Sequence, residues 1–141
     1  MATTATISLN SNITGDTLSL SSTATLTKAK SNSTNLDQFT GVNTIKYAAT
    51  QSAITFIDAG DYVDTEVSHK VYIRNAVLPS ASSSAYVLVD IDSGANEPLG
   101  RLYPGDWCFF PWLGTLDIDI TTNEVGTTVE YAVISQSVVS A

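Results

Sequence analysis

Apolar and hydroxyl side chains alternate one for one through much of this chain, and a period of two is the signature of strands with one buried and one wet face. The run TLSLSSTATLT at 17–27 shows it plainly: Leu18, Leu20, Ala24 and Leu26 share one parity, and hydroxyls fill most of the other. The same reading predicts strands at 6–10, 44–49, 53–57, 70–74, 86–91, 99–103, 107–110, 116–121 and 127–134. Val, Ile, Thr and aromatic residues dominate these runs, as pleated surfaces prefer. A capped helical pattern of useful length is missing, although 34–39 could close one helical turn. With 17 Ser and 19 Thr against only 14% charged residues, the polar surface is mainly hydroxyl, which argues against a helix-rich or coiled-coil fold.

Turn formers punctuate the runs: Gly15-Asp16, Gly41, Ala59-Gly60-Asp61, Ser93-Gly94, Pro104-Gly105-Asp106 and Gly126 all fall between them. Short strands broken by turns at short intervals predict an all-β fold, an antiparallel β-sandwich or jelly-roll-like arrangement of about eight strands. The length of 141 residues suits a single domain spanning 1–141. Pro104-Gly105 fits the central positions of a type II turn, so 99–103 and the strand from Trp107 onward are expected to pair as a hairpin. The stretches 28–43 and 79–85 read as loops.

Charge and residue counts remove whole classes of function. Six Lys+Arg against 14 Asp+Glu give a net charge of -8, and from Ala76 onward only Arg101 faces the acids. Such a field repels nucleic acid and anionic bilayers, so neither is an expected partner. The N-terminus lacks the basic and apolar regions of a secretory signal, and no apolar run approaches the length that spans a bilayer. Two Asn-X-Thr triplets, at Asn12 and Asn32, would be glycosylated only in a eukaryotic secretory route. Catalysis through an imidazole base has one candidate, His69, which at a strand entrance beside Lys70 reads as a surface residue. One His and one Cys cannot build a His/Cys metal centre, and no glycine-rich phosphate loop is present. Cys108, flanked by Trp107 and Phe109, reads as a small inert hydrophobe. Asp90 with Asp92, and Asp117 with Asp119, each point to one side of a strand and could offer oxygen ligands to Ca²⁺, although a solvated face accounts for them more simply.

The chain's densest feature is Trp107-Cys108-Phe109-Phe110-Pro111-Trp112-Leu113, which holds both tryptophans and half of the phenylalanines. Alternation buries one parity only. Whichever register holds, large aromatics emerge on both faces and call for a second cover: loops of the same chain, a neighbouring subunit, or a stacked sugar.

The segment 99–111, LGRLYPGDWCFFP, followed by Asp117-Ile118-Asp119-Ile120 and Thr128-Val129-Glu130-Tyr131, resembles the C-terminal half of small all-β virion proteins of tailed bacteriophages, in which a strand, a Pro-Gly-acid turn, an aromatic strand and two closing strands follow in this order. The resemblance covers about residues 86–135. It implies a capsid cement or decoration protein on the shell exterior, without catalysis or cofactor, whose partners are the major capsid protein and further copies of itself, a trimer being favoured. Trp107, Phe109, Phe110, Trp112 and Leu113 are then expected as packing anchors, with Arg101 as a charge partner. A tail, neck or fibre component, or a glycan-binding adhesin module using the same aromatics, is the alternative.

Overall fold

The computed structural model describes residues 3–13, 16–26, 38–62, 67–79, 84–91 and 97–137. Strands β1 (Thr3–Ile13) and β2 (Asp16–Leu26) form a two-stranded antiparallel ribbon. The remaining strands are β3 (Gln38–Phe39), β4 (Asn43–Lys46), β5 (Gln51–Ile57), β6 (Val67–Asn75), β7 (Val87–Ile91), β8 (Glu97–Leu102), β9 (Trp107–Trp112), β10 (Ile118–Thr122) and β11 (Thr128–Ser137). A short 3-10 turn, Ala59–Tyr62, is the only helical element among the described residues. Every pairing is antiparallel, and the chain is all-β as its alternation predicts.

One sheet runs β5-β10-β7-β8 and the other β3-β11-β6-β9, with β4 also pairing β11. Their facing sides share one core: Ile57, Val87, Val89, Leu102, Ile118 and Ile120 from the first sheet meet Val71, Ile73, Trp112, Val129 and Val133 from the second. The period of two does the sorting. In β10, Ile118, Ile120 and Thr122 point inward while Asp119 and Thr121 remain partly exposed. In β6, the parity of Val71 and Ile73 carries His69 and Asn75 inward with them. A buried polar group must find partners, and Thr122 finds one by accepting a hydrogen bond from the Gln51 amide (3.0 Å).

Three expectations need correction. Residues 99–103 and the strand after Trp107 do not form a hairpin: β8 pairs β7, whereas β9 pairs β6 in the opposite sheet. The turn itself closes as expected, with the Asp106 amide donating to the Tyr103 carbonyl (2.8 Å) and Gly105 at φ 88°. What separates its arms is Asn75 at the end of β6. Its backbone bonds both Gly105 and Asp106, and its buried Nδ2 donates to the Leu102 carbonyl (2.9 Å) and the Ala85 carbonyl (3.3 Å). The corner is thereby tied to β6 as the chain crosses from one sheet to the other. A Cβ at residue 105 would also approach Pro79 to 3.2 Å, so glycine suits both the dihedral and the space.

The second correction is that Gln38 and Phe39 are strand, paired with Ser135 and Ile134, rather than part of a helical turn. The rest of that expected turn, 34–37, lies outside the described residues, as do 28–37 and 80–83 of the two expected loops. The third is His69, which is 2% exposed instead of lying on the surface. Its Nδ1 shares a hydrogen bond with Ser135 Oγ (2.8 Å), and its ring packs against Tyr62 and Trp112.

Candidate functional site

The aromatic run is β9, an edge strand whose register settles which ring goes where. Cys108, Phe110 and Trp112 face the core, and Trp107, Phe109 and Pro111 take the outer side of the sheet. Trp112 is 6% exposed, its indole donates to the Leu116 carbonyl (2.9 Å), and Tyr62 meets it edge-on. It is a core residue of this chain, not a surface anchor, because its parity is that of the buried side of β9. Phe110 packs against the same core. Together with Arg101, Leu99, Leu102, Val89 and Cys108 it lines a cleft of about 300 Å³ between the edge strands β8 and β9. Burial pushes the Cys108 thiol up to about 11, so it stays protonated at neutral pH. The guanidinium of Arg101 lies 4.6 Å from the centroid of the ring of Tyr86, the residue just before β7, a cation–π contact within the chain. Leu113, just past β9, is 72% exposed.

On the outer side, Trp107 is half exposed, and a row runs from it across three strands: Trp107 on β9 is opposite Arg74 on β6, which is opposite Glu130 on β11. The Tyr72 hydroxyl donates to Glu130 Oε1 (2.9 Å), and Arg74 Nη1 lies 3.9 Å from the same oxygen. Burial, and then the bond to Glu130, push the Tyr72 hydroxyl above its ordinary value. Tyr72, Arg74, Gly105 and Trp107 together line a shallow, open pocket of about 410 Å³.

The ribbon carries a second surface that the sequence reading does not single out. Its register sets Leu9 opposite Leu20, Ala5 opposite Ala24, and Ile7 opposite Ser22, so the apolar residues gather on one side. The other side pairs hydroxyls, as Thr6 with Thr23 through a side-chain bond of 2.9 Å. Among the described residues no further strand pairs with the ribbon, and Ile7, Leu9 and Leu20 remain 41%, 49% and 46% exposed. Alternation announces this apolar side, but nothing in it tells that the side is uncovered.

The acidic residues divide. Asp90 and Asp119 stand directly opposite one another on β7 and β10, Asp117 Oδ1 accepts the Ala59 amide (2.8 Å), and Asp92 lies outside the described residues. Among the described residues no three His, Cys, Asp or Glu side chains gather as a metal ion would require, and no helix is long and apolar enough to cross a membrane. No protein-family model, curated protein or solved structure matches the chain.

Proposed function

We propose that this chain is a non-enzymatic structural protein of a bacteriophage virion, a cement or decoration protein held on the capsid exterior by contacts with the major capsid protein and with further copies of itself, a trimer being favoured. The observation that carries the reading is the uncovered apolar side of the β1–β2 ribbon. A two-stranded ribbon alone is marginal in water and needs a layer against its apolar side. Fully burying one large aliphatic side chain is worth about 1.5–3 kcal/mol, so covering the exposed halves of Ile7, Leu9 and Leu20 contributes about 3 kcal/mol per subunit. Repeated around a shell, such contacts add to particle stability by mass action. Phe109 and Leu113 add apolar surface at the β9 edge, and Arg101 stands exposed on β8. The net charge of -8 suits a place outside the shell, away from packaged DNA.

Quantitative mass spectrometry of purified virions tests it through the copy number of this chain relative to the major capsid protein. A ratio of the same order as the shell protein supports the cement reading. A few copies per particle would transfer the chain to the tail, neck or fibre, and absence from virions would overturn the reading. Within the cement reading, Leu9→Ser with Leu20→Ser should release the chain from assembled shells; undiminished binding would remove the ribbon as the contact.

A further inference from the structure

We infer that the pocket beside Trp107 is a binding site for a single neutral sugar residue, with the indole as its apolar wall and Tyr72 and Arg74 as its hydrogen-bonding groups. The pocket is shallow and open, about 410 Å³ in volume, which suits one ring lying flat on the surface and not a ligand buried on all sides. The chemistry of the lining narrows the ligand. Trp107 is the one half-exposed tryptophan, whereas Trp112 is sealed in the core. An indole left half in water at a pocket wall offers a flat apolar surface with a polar edge.

The polar groups are few and already oriented. Glu130 lies beside the pocket on β11, and its Oε1 receives the Tyr72 hydroxyl at 2.9 Å with Arg74 Nη1 at 3.9 Å. With its proton given to Glu130 and Arg74 directed at its oxygen, the Tyr72 hydroxyl keeps one lone-pair direction for a ligand hydroxyl, while the guanidinium has further N–H groups to donate. A ligand that satisfies both must donate and accept within a short span. A hydroxyl does both, and adjacent hydroxyls on a ring that also has a C–H face match the indole and the polar pair together. Glu130 balances the charge of Arg74, and the chain's net charge of -8 opposes an anion, so phosphate, sulfate and acidic sugars are disfavoured. The site lies on β6, β9 and the corner at Gly105, whose placement by Asn75 fixes the pocket's end. This assignment takes Trp107 out of the set of packing anchors and stands apart from the ribbon contact.

The test is heteronuclear NMR of the isotope-labelled full chain, titrated with the methyl glycosides of glucose, galactose, mannose and N-acetylglucosamine, and with that of glucuronic acid as the acidic comparison. The two indole N–H signals separate the surface site from the core, because that of Trp112 is held by the Leu116 carbonyl. The Trp107 signal should move saturably with at least one glycoside while the Trp112 signal stays in place. Trp107→Ala should abolish the remaining shifts around Tyr72 and Arg74 without lowering the thermal midpoint appreciably, and Tyr72→Phe should weaken binding about two- to tenfold. A still Trp107 signal across the panel overturns the assignment, as does a Trp107→Ala chain that titrates like the wild type. A response only to an acidic glycoside overturns the neutral-sugar assignment. A Trp107 signal that ignores every sugar but broadens with capsid shells gives the pocket to a protein partner and overturns it too. Virion copy number is blind to all these results, so this inference and the virion reading can fail separately.

Discussion

Replacing Asn75 with alanine removes the side chain that holds the corner between the two sheets. Three hydrogen bonds vanish: Nδ2 to the Leu102 carbonyl (2.9 Å), Nδ2 to the Ala85 carbonyl (3.3 Å), and the Val77 amide to Oδ1 (3.2 Å). Asn75 is wholly buried, so the groups left behind cannot all turn to water. A buried hydrogen bond contributes about 1 kcal/mol net, and an orphaned partner costs about 1–3 kcal/mol, which puts the three at about 3–4 kcal/mol. The backbone bonds of residue 75 to Gly105 and Asp106 survive the substitution, so the corner loosens without vanishing. Native domains hold about 5–15 kcal/mol, and the variant should fold with much of its margin gone. For a chain of this length each kcal/mol moves the midpoint by about 4 °C, giving a fall of about 12–16 °C. Urea unfolding should report a lower midpoint with an unchanged slope, since the surface exposed on unfolding is nearly the same. A loss below about 1 kcal/mol at unchanged slope would refute the claim that Asn75 holds the corner.

Trp112→Ala should cost about 3–5 kcal/mol by calorimetry or denaturant titration, because a buried indole and its bond to Leu116 go together, whereas Leu113→Ala on the surface should stay within about 0.5 kcal/mol; equal effects would contradict the register of β9. Ala53 sits at φ 44° where the β5–β10 register is irregular, so Ala53→Gly should leave midpoint stability unchanged or raise it by up to about 1 kcal/mol, against the usual loss for glycine in a strand. A clear destabilisation would show that the left-handed conformation is not what residue 53 adopts. Cys108 should react slowly with thiol reagents at pH 8 and accelerate as pH approaches about 11. The sign for stability follows from a folded pKa raised above the ordinary 9.0: the Cys108 contribution is intact below about 9 and is lost as pH rises toward about 11. Cys108→Ala should therefore flatten the alkaline decline in midpoint, and an unaltered profile would count against burial of the thiol.

Alternation is legible in the sequence where a strand packs on one side only. Val87 and Val89, or Ile118 and Ile120, announce both the strand and its inner face. The same rule misplaces polar residues that share the inner parity. His69 and Asn75 look like surface residues by type, yet Val71 and Ile73 between them carry both inward, and their partners lie far along the chain at Ser135, Ala85 and Leu102. The corner after β8 shows a second limit. Tyr103 to Asp106 carry the signature of a tight turn and form one, but turn chemistry sets the backbone of four residues and not the sheet that receives the next strand. Similarly, the aromatic run declares that two faces need cover without giving the register that puts Trp112 in the core and Trp107 outside. The pocket draws Tyr72 and Arg74 from β6, with Glu130 beside them on β11; no local motif in the sequence links them to β9.

The strand order also governs when this protein can fold. One of the two inner strands of each sheet comes late: β10 sits between β5 and β7, and β11 between β6 and the pair β3 and β4. Until Ile118–Thr122 and Thr128–Ser137 have left the ribosome, β5 lacks its β10 partner, and β6 and β7 can pair on one side only, with β9 and β8. Among the described residues only β1–β2 and β7–β8 join strands adjacent in sequence, and folds built on distant pairings form in milliseconds to seconds rather than microseconds. The sandwich therefore closes only once β11 has emerged, and a nascent chain stalled before Thr128 carries a β6 edge without its β11 partner.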